Sequence, residues 1–159
     1  MKFLAFGEVM MRLTVEPYKK LSQSNKLDMN FTGTGVNVLS GLYQFGHQCS
    51  LITALPNHNV GWAAAGVIRQ LGIRDDMITY QGQHIGVYFL EMGIASRPSE
   101  ITYLNRSESA FNRTDYDLDK LQGQMQGYEA IHFCGISLSQ NEKIARTVLN
   151  LAKMSKEQG

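Results

Sequence analysis

Apolar and polar residues alternate along several short segments of the chain, and this two-residue period is typical of half-buried β-strands. Residues 2–15 predict one or two strands that turn near Gly7, and "KLDMNFTG" (26–33) predicts another strand. The segment "QCSLITAL" (48–55) is continuously apolar, as in strands that are buried on both faces of a parallel sheet. "EAIHFCG" (129–135) predicts a second buried strand.

Helical spacing of apolar residues marks the segments between these strands. Helices are predicted over 35–45, 59–72, 115–126 and 140–157. In the first helix Val38, Leu42 and Phe45 form an apolar stripe, and Gly46 is placed to end it. Gly123 is expected to interrupt the third helix. Strands that alternate with helices predict an α/β fold, a layered and mostly parallel sheet with helices on both faces.

Two segments do not fit this alternation. Residues 86–93 and 100–106 read as strands joined by a polar loop, and they predict an antiparallel hairpin with a long connection. We expect them to form a small separate β element that projects from the main sheet. At the other end of the chain, lysines in the last helical turn and Gly159 as its stop predict that a further strand should follow.

Composition narrows the class of protein. The chain has 159 residues, of which 43% are hydrophobic and 18% charged, with a net charge of +1. Scattered basic residues and near-neutral charge argue against a nucleic-acid groove. No apolar run approaches the length of a membrane span. Cys49 and Cys134 lack paired-cysteine spacing and predict buried free thiols in a reducing cytoplasm. The four histidines lack metal-ligand spacing, so we expect no metal ion bound by this segment.

The turn Gly33-Thr34-Gly35 follows a strand and opens a helix, which is the position of a dinucleotide-binding loop. The sequence argues against that function, because Val38 replaces the third glycine and no acidic residue follows at the distance of a ribose contact. A phosphate-binding loop with Gly-Lys-Ser/Thr is also missing. "GISLS" (135–139) lacks the last glycine of a nucleophile elbow.

A site for a polyhydroxylated ligand is the second interpretation of this turn. Gly33 and Gly35 permit close approach of the backbone. Asn37 can donate and accept hydrogen bonds at once, as neighbouring sugar hydroxyls require. The alternative is that Asn37 only caps the helix. The residues by themselves favour the helix cap over the ligand site.

The arrangement as a whole resembles the ribokinase-like (PfkB-type) sugar kinases. The resemblance runs over nearly the whole chain and rests on "GEVMMRL", "TGTGVNVLSGLYQFG", "GVYFLEMG", "RPSEITYLNRSESAF" and "IHFCGISLS". It implies that the glycine turn and the asparagine hold sugar hydroxyls. It also implies a β lid over the sugar, with segments near 9–15, 27–32, 86–93 and 100–106. Residues 1–159 would then be the N-terminal portion of a kinase domain without its nucleotide-binding C-terminal half.

Within this family the lid segments are most similar to 2-keto-3-deoxygluconate kinases, whose substrate carries a carboxylate. Arg106 is then expected to clamp that carboxylate with its planar fork. Tyr88 would bond a hydroxyl and shield the site with its ring. Tyr103 is a further candidate. Gly135 and Ile136 follow a strand at the end where sheet folds place ligands.

Strand alternation gives two geometric expectations for these side chains. Tyr103 and Arg106 are three residues apart, so they should point to opposite sides of the strand unless a bulge intervenes. Glu8 and Arg12 share parity, so both would face the same side, either towards the sugar or as a surface pair. Thr32 stands where the family usually has a glycine, and its side chain is expected to narrow the pocket.

The resemblance implies phosphoryl transfer from ATP, with Mg²⁺, to a hydroxyl of a sugar acid. The family's catalytic Asp lies in a Gly-Ala-Gly-Asp turn that does not occur in these residues, so we expect no catalytic residue here and no activity of the segment alone. A homodimer formed through the lid and a cytoplasmic location are also implied. The alternatives are a kinase for fructose or another neutral sugar, and a non-catalytic sugar-binding module.

Overall fold

The computed structural model describes residues 1–157. The strands of this part are β1 (Lys2–Phe6), β2 (Met10–Val15), β3 (Leu27–Thr32), β4 (Gln48–Leu55), β5 (Ile73–Arg74), β6 (Ile78–Tyr80), β7 (Gly86–Glu91), β8 (Glu100–Leu104) and β9 (Ala130–Phe133). The α-helices are α1 (Thr34–Gln44), α2 (Asn59–Gln70), α3 (Ala110–Arg113), α4 (Leu118–Gln124), α5 (Gly135–Leu138) and α6 (Glu142–Glu157).

The main sheet is parallel and is covered by helices on both faces. Its strand order is β5-β4-β1-β9, and β6 pairs with the end of β4. Side chains of β1 alternate between the two faces. Ala5 packs with Leu39 of α1 and Ala64 of α2 in one apolar cluster. Leu4 packs with Ile144 of α6 in the other. The predicted α/β architecture is confirmed.

The second sheet has the order β3-β2-β7-β8. The pairs β2–β3 and β7–β8 are antiparallel, whereas β2 and β7 run parallel. The predicted hairpin is therefore confirmed, and the two earlier strands join it in one sheet. The strands are shorter than predicted, because β7 ends at Glu91 and β8 ends at Leu104.

Helix α1 presents a different face to the sheet from the one predicted. Phe45 is 80% exposed and Val38 is 38% exposed, so the predicted apolar stripe is wrong at these two positions, whereas Leu42 packs against the core as predicted. The buried positions are Gly35, Val36 and Leu39. Small residues let the start of the helix approach the sheet closely, and this contact decides its orientation more strongly than the spacing of large side chains.

Several helix and strand boundaries in the structure also differ from the predicted ones. Helix α4 runs through Gly123 rather than breaking there, because a lone glycine lowers helix stability without ending the helix. Helix α6 begins at Glu142, where Asn141 Oδ1 accepts a hydrogen bond from the N–H of Ile144 at 2.9 Å. The proposed stop at Gly159 lies outside the described residues. Strand β9 was expected to be buried but is partly exposed, because it lies at the edge of the sheet in residues 1–157.

Two helical glycines should respond oppositely to alanine. A Cβ at Gly61 of α2 would lie 1.9 Å from the carbonyl oxygen of Pro56, whereas a Cβ at Gly41 of α1 meets no atom within 4 Å. Gly41→Ala should stabilise the intact protein by about 0.5–1 kcal/mol, because alanine is the better helix former. Gly61→Ala should instead destabilise it by roughly 1–3 kcal/mol through overpacking. Urea unfolding of both variants measures the difference, and equal shifts of the midpoint would contradict this packing.

Candidate functional site

A cavity of about 180 Å³ lies between the second sheet and the carboxyl ends of β1 and β9. This is the end of a parallel sheet at which α/β proteins bind ligands. The residues that line it come from all four strands of the second sheet, from the loop after β1, from the starts of α1 and α5, and from the segments that follow β8 and α5. They are Glu8, Met10, Thr32, Gly33, Thr34, Asn37, Tyr88, Ile101, Tyr103, Arg106, Ile136, Ser137 and Gln140.

The glycine turn approaches another part of the protein backbone. Gly33 is the N-cap of α1, and a Cβ at this position would lie 2.3 Å from the carbonyl oxygen of Glu8. The turn therefore packs against the loop that follows β1 and holds the start of α1 at the cavity. Gly35 does not line the cavity, because it is buried against Ala5 and Leu51.

Asn37 and Thr32 lie together on the cavity wall. The Thr32 hydroxyl donates to Asn37 Oδ1 at 3.5 Å. The N-cap residue is Gly33, without a side-chain capping bond, so the interpretation of Asn37 as a helix cap is wrong. Its amide faces the cavity, and the Thr32 side chain occupies part of the same wall, as expected from the sequence.

The remaining candidates differ in whether they line the cavity. Ile136 lines the cavity at the start of α5, whereas Gly135 does not. Tyr88 on β7 lines it next to its cross-strand neighbour Tyr103, with ring centroids 5.8 Å apart. Six of the eight candidate positions therefore lie around one cavity, whereas Gly35 and Gly135 do not line it.

Arg106 lies beside Tyr103, and the expectation that they point to opposite sides is wrong. Strand β8 ends at Leu104, and Asn105 takes a left-handed conformation with φ of 51°. Arg106 then begins a short 3-10 turn rather than continuing the strand. Its guanidinium carbon lies 5.0 Å from the Tyr103 ring centroid, which is within the range of a cation–π contact. Strand alternation does not apply beyond Asn105.

Glu8 forms a buried ion pair with Arg106. Its Oε2 accepts from Arg106 Nε at 2.8 Å, and its Oε1 accepts from the Ser109 hydroxyl at 2.9 Å. Only 6% of the Glu8 side chain and 22% of the Arg106 side chain are exposed. Burial raises the pKa of Glu8 above its usual value, and Arg106 and Ser109 offset part of that increase.

The expected parity of Glu8 and Arg12 is also wrong. Glu8 lies in the loop between β1 and β2, so it does not share a strand with Arg12. Arg12 does not line the cavity, and the two residues do not form a surface pair in this structure. Glu8 is an acidic residue two positions after an apolar strand, and this placement indicated a site residue. Its partner Arg106 lies 98 positions away, and no sequence pattern predicts that pairing.

Gln140, in the short loop between α5 and α6, is a site residue that the sequence analysis missed. With its side-chain oxygen turned towards Arg106, the amide accepts from Nη1 at 3.3 Å and from Nη2 at 2.5 Å. No pattern in the sequence marks this residue. Glu8 and Arg106 are the charged residues of the cavity lining and they neutralise each other, so the remaining polar atoms are neutral hydrogen-bonding groups.

Other classes of site are not evident in the described residues. Within residues 1–157, acidic, histidine and cysteine side chains do not cluster in a group that could hold a metal ion. Among the same residues, every helix is too short or too polar to cross a membrane.

Comparison with known families decides what class of protein has this cavity. The profile of the family described as "pfkB family carbohydrate kinase" matches residues 2–159. The chain belongs to the PfkB family of carbohydrate kinases. The architecture described above is the ribokinase-like fold of its structural relatives.

The relatives of this PfkB chain include kinases named for sugar-acid substrates. A solved structure of 2-dehydro-3-deoxygluconokinase from Thermotoga maritima has a TM-score of 0.93 and 34% identity, and the match covers 100% of this chain and 48% of that one. A protein from Enterococcus faecalis, provisionally assigned as a 2-keto-3-deoxygluconate kinase, has a TM-score of 0.91 and 42% identity, over 99% of this chain and 46% of that one.

A curated relative from Haloferax volcanii is named 2-dehydro-3-deoxygalactonokinase. It is 22% identical over 158 residues, which are 99% of this chain and 49% of the relative. The chain thus spans about half the length of the relatives it matches.

Proposed function

We propose that the intact protein transfers the γ-phosphoryl group of ATP to a hydroxyl of a sugar acid, with 2-keto-3-deoxygluconate as its substrate. The observation that carries this proposal is the position of Arg106, a guanidinium with a planar set of donors at a small cavity whose other lining groups are mostly neutral. An arginine fork matches a carboxylate better than a hydroxyl. The names of the relatives from Thermotoga maritima and Enterococcus faecalis point to the same substrate class.

The cavity residues divide the work of binding by their chemistry. Asn37 and Tyr88 would hydrogen-bond sugar hydroxyls, and the Tyr103 ring would cover the sugar while it supports the guanidinium. Ile136 would contribute an apolar contact. Gly33 shapes the cavity by letting α1 begin beside Glu8. Gly35 and Gly135 would act through packing and loop shape rather than by direct contact.

ATP and Mg²⁺ are the cofactors that the family implies, but the described residues do not fit them. Among residues 1–157, Arg106 is the one cationic side chain that lines the cavity, and these residues hold no cluster of acidic side chains suited to a metal ion. A triphosphate needs several cationic or backbone N–H donors. We propose that the nucleotide, the metal ion and the catalytic base belong to the other half of the intact kinase, and we derive no chemical step from the residues present.

The experiment is a coupled assay of ADP release by the intact protein with ATP and Mg²⁺. We expect turnover with 2-keto-3-deoxygluconate at a kcat/KM well above that for fructose, and a comparison with the galactonate epimer tests the stereochemistry suggested by the Haloferax relative. Preference for fructose would support a neutral-sugar kinase. Binding of sugar without ADP release would instead identify a sugar-binding module.

We also propose that the second sheet joins two copies of the chain into a homodimer. The edge strands β3 and β8 are largely exposed, and Met29 (56%) and Leu104 (48%) are among the large apolar side chains that meet water there. Exposed apolar edge strands favour pairing with another sheet. Sedimentation of the intact protein should show a dimer that Met29→Glu weakens.

Phe45→Glu is the matched control for that experiment. Phe45 is 80% exposed at the end of α1 and lies outside the second sheet, so the same charge there should leave the dimer intact. A wild-type monomer at high protein concentration, or equal dissociation by both variants, would count against this interface.

A further inference from the structure

The guanidinium of Arg106 has no free pair of donors for a carboxylate. Arginine carries five N–H donors, and a carboxylate binds two of them in parallel, either Nε with one terminal nitrogen or both terminal nitrogens together. Nε donates to Glu8 at 2.8 Å. With the amide oxygen of Gln140 turned towards Arg106, both terminal nitrogens donate to it, at 3.3 Å and 2.5 Å, and these bonds replace the longer contact of 3.4 Å from Asn112 Nδ2 to that oxygen. One face of the group lies against Tyr103. A sugar acid that binds Arg106 bidentately must therefore displace one of these partners.

The two partners differ in how costly they are to displace. Glu8 is buried, ionisable and held by Ser109, so its removal from Arg106 would leave an uncompensated charge away from water. Gln140 is neutral and partly exposed, and it lies in a connection of three residues between α5 and α6. Its amide can turn to solvent, where water replaces the lost hydrogen bonds. The end of the guanidinium that bears Nη1 and Nη2 is thus the side from which a ligand can approach.

A carboxylate and a sugar hydroxyl differ in the hydrogen bonds that they can form with Arg106 in place of Gln140. A carboxylate makes two charge-assisted hydrogen bonds with a guanidinium, and these are about twice as strong as neutral ones. A sugar hydroxyl offers one neutral acceptor, which is no better than the amide oxygen already present. Only a carboxylate therefore gains enough to displace Gln140.

We propose that Gln140 is a specificity-determining residue. Its amide oxygen holds the terminal nitrogens of Arg106 until the carboxylate of a sugar acid replaces it, so that neutral sugars leave the Arg106–Gln140 contact intact. This inference rests on the proposed function, because it assumes a carboxylate-bearing substrate, and it adds a residue that excludes the wrong class of ligand.

Two variants of Gln140 test the displacement in opposite directions. Gln140→Ala removes the competing acceptor, so the Kd of the intact protein for 2-keto-3-deoxygluconate should fall by about threefold to tenfold, the equivalent of one net hydrogen bond. Gln140→Glu places a carboxylate at the same reach, and its pairing with Arg106 should raise that Kd by about tenfold to a hundredfold. The Kd for fructose should change by a much smaller factor in both.

Calorimetry with 2-keto-3-deoxygluconate and with fructose supplies the measurement. Ser139→Ala is the matched control, because Ser139 is the adjacent loop residue and its hydroxyl bonds only the carbonyl oxygen of Ile136 at 2.9 Å. It should leave both Kd values unchanged. Retained fructose binding shows that each variant is folded. If the glutamate variant does not fold, Gln140→Leu serves as a second variant without the amide acceptor, and it should lower the Kd for the sugar acid as Gln140→Ala does.

The outcomes separate this inference from the function on which it rests. Weaker binding of the sugar acid by Gln140→Ala would show that the amide donates to the carboxylate, and it would overturn displacement. Unchanged affinity in both Gln140 variants would overturn it too. If the Gln140 variants leave the Kd for the sugar acid unchanged while Arg106 substitution still weakens binding of the sugar acid selectively, only the displacement of Gln140 is refuted. If the wild-type protein binds no sugar acid, or Arg106 substitution affects both sugars equally, the proposed function fails as well.

Discussion

Replacing Arg106 with alanine is expected to weaken binding of 2-keto-3-deoxygluconate by about 2–5 kcal/mol, the range for truncating one partner of a desolvated charge pair. This corresponds to roughly a thirtyfold to several-thousandfold rise in Kd. Fructose has no carboxylate for the guanidinium, so its affinity should fall far less. Calorimetry on the intact variant compares the two ligands, and equal losses would refute the carboxylate role of Arg106.

The ion pair complicates this substitution, because Arg106→Ala also leaves the buried carboxylate of Glu8 without its cation. Part of the loss of affinity could then come from a rearranged cavity. The double variant Glu8→Gln with Arg106→Ala removes that buried charge and is the appropriate control. A selective loss for the sugar acid in both the single and the double variant would assign the effect to the missing guanidinium.

Replacing Glu8 with alanine is the second large effect, and we expect it to lower the free energy of unfolding by about 3 kcal/mol. This is the lower end of the range for removing one partner of a buried ion pair, chosen because Arg106 keeps 22% exposure of its side chain. Ser109 would also lose the acceptor of its hydroxyl. Chemical denaturation of the intact protein at neutral pH measures the change, and a loss below about 1 kcal/mol, typical of exposed pairs, would contradict the buried pairing.

The same carboxyl group should make stability depend on pH. Burial raises the pKa of Glu8 in the folded protein above the usual value of 4.5, so the folded state holds this proton more tightly than the unfolded state does. The stabilisation is fully present below pH 4.5 and is lost as the pH rises through the folded pKa. Within residues 1–157, Arg106 is the charged group that faces Glu8, and the Tyr116 hydroxyl is the other titratable group affected by it.

Glu8→Gln isolates this dependence, because it keeps the shape of the side chain and cannot titrate. The difference in unfolding free energy between wild type and variant should shift in favour of the variant as the pH rises above 4.5 and then level off. Glu16 and Glu108, whose pKa values are lowered by exposed cationic neighbours, are common to both proteins and cancel in the difference. A difference that stays constant from acidic to neutral pH would show that Glu8 is not perturbed by burial.

Local patterns were sufficient to predict most of the strands and helices, whereas most of the cavity residues were predicted from the family resemblance. The apolar run of β4, the strand β3 and the turn at Gly33 follow from the period of their residues and from glycine at a tight junction. These features depend on neighbours in sequence, so the order of strands and helices determined an α/β fold. The resemblance carried by the same segments brought Asn37, Tyr88 and Arg106 into one site before any geometry was available.

The sequence by itself thus determined the fold class and the hairpin of β7 and β8 through local periodicity. It indicated six positions of one cavity and the other two strands of the second sheet through the family resemblance of its motifs. Only the tertiary structure decided which groups neutralise one another. Glu8 and Arg106 are 98 residues apart in the sequence, and Gln140 reaches Arg106 from the connection between α5 and α6. The left-handed residue Asn105 turns Arg106 back onto Tyr103, against the alternation of a strand. Burial and long-range pairing arise from the packing of distant segments, and no local pattern encodes them.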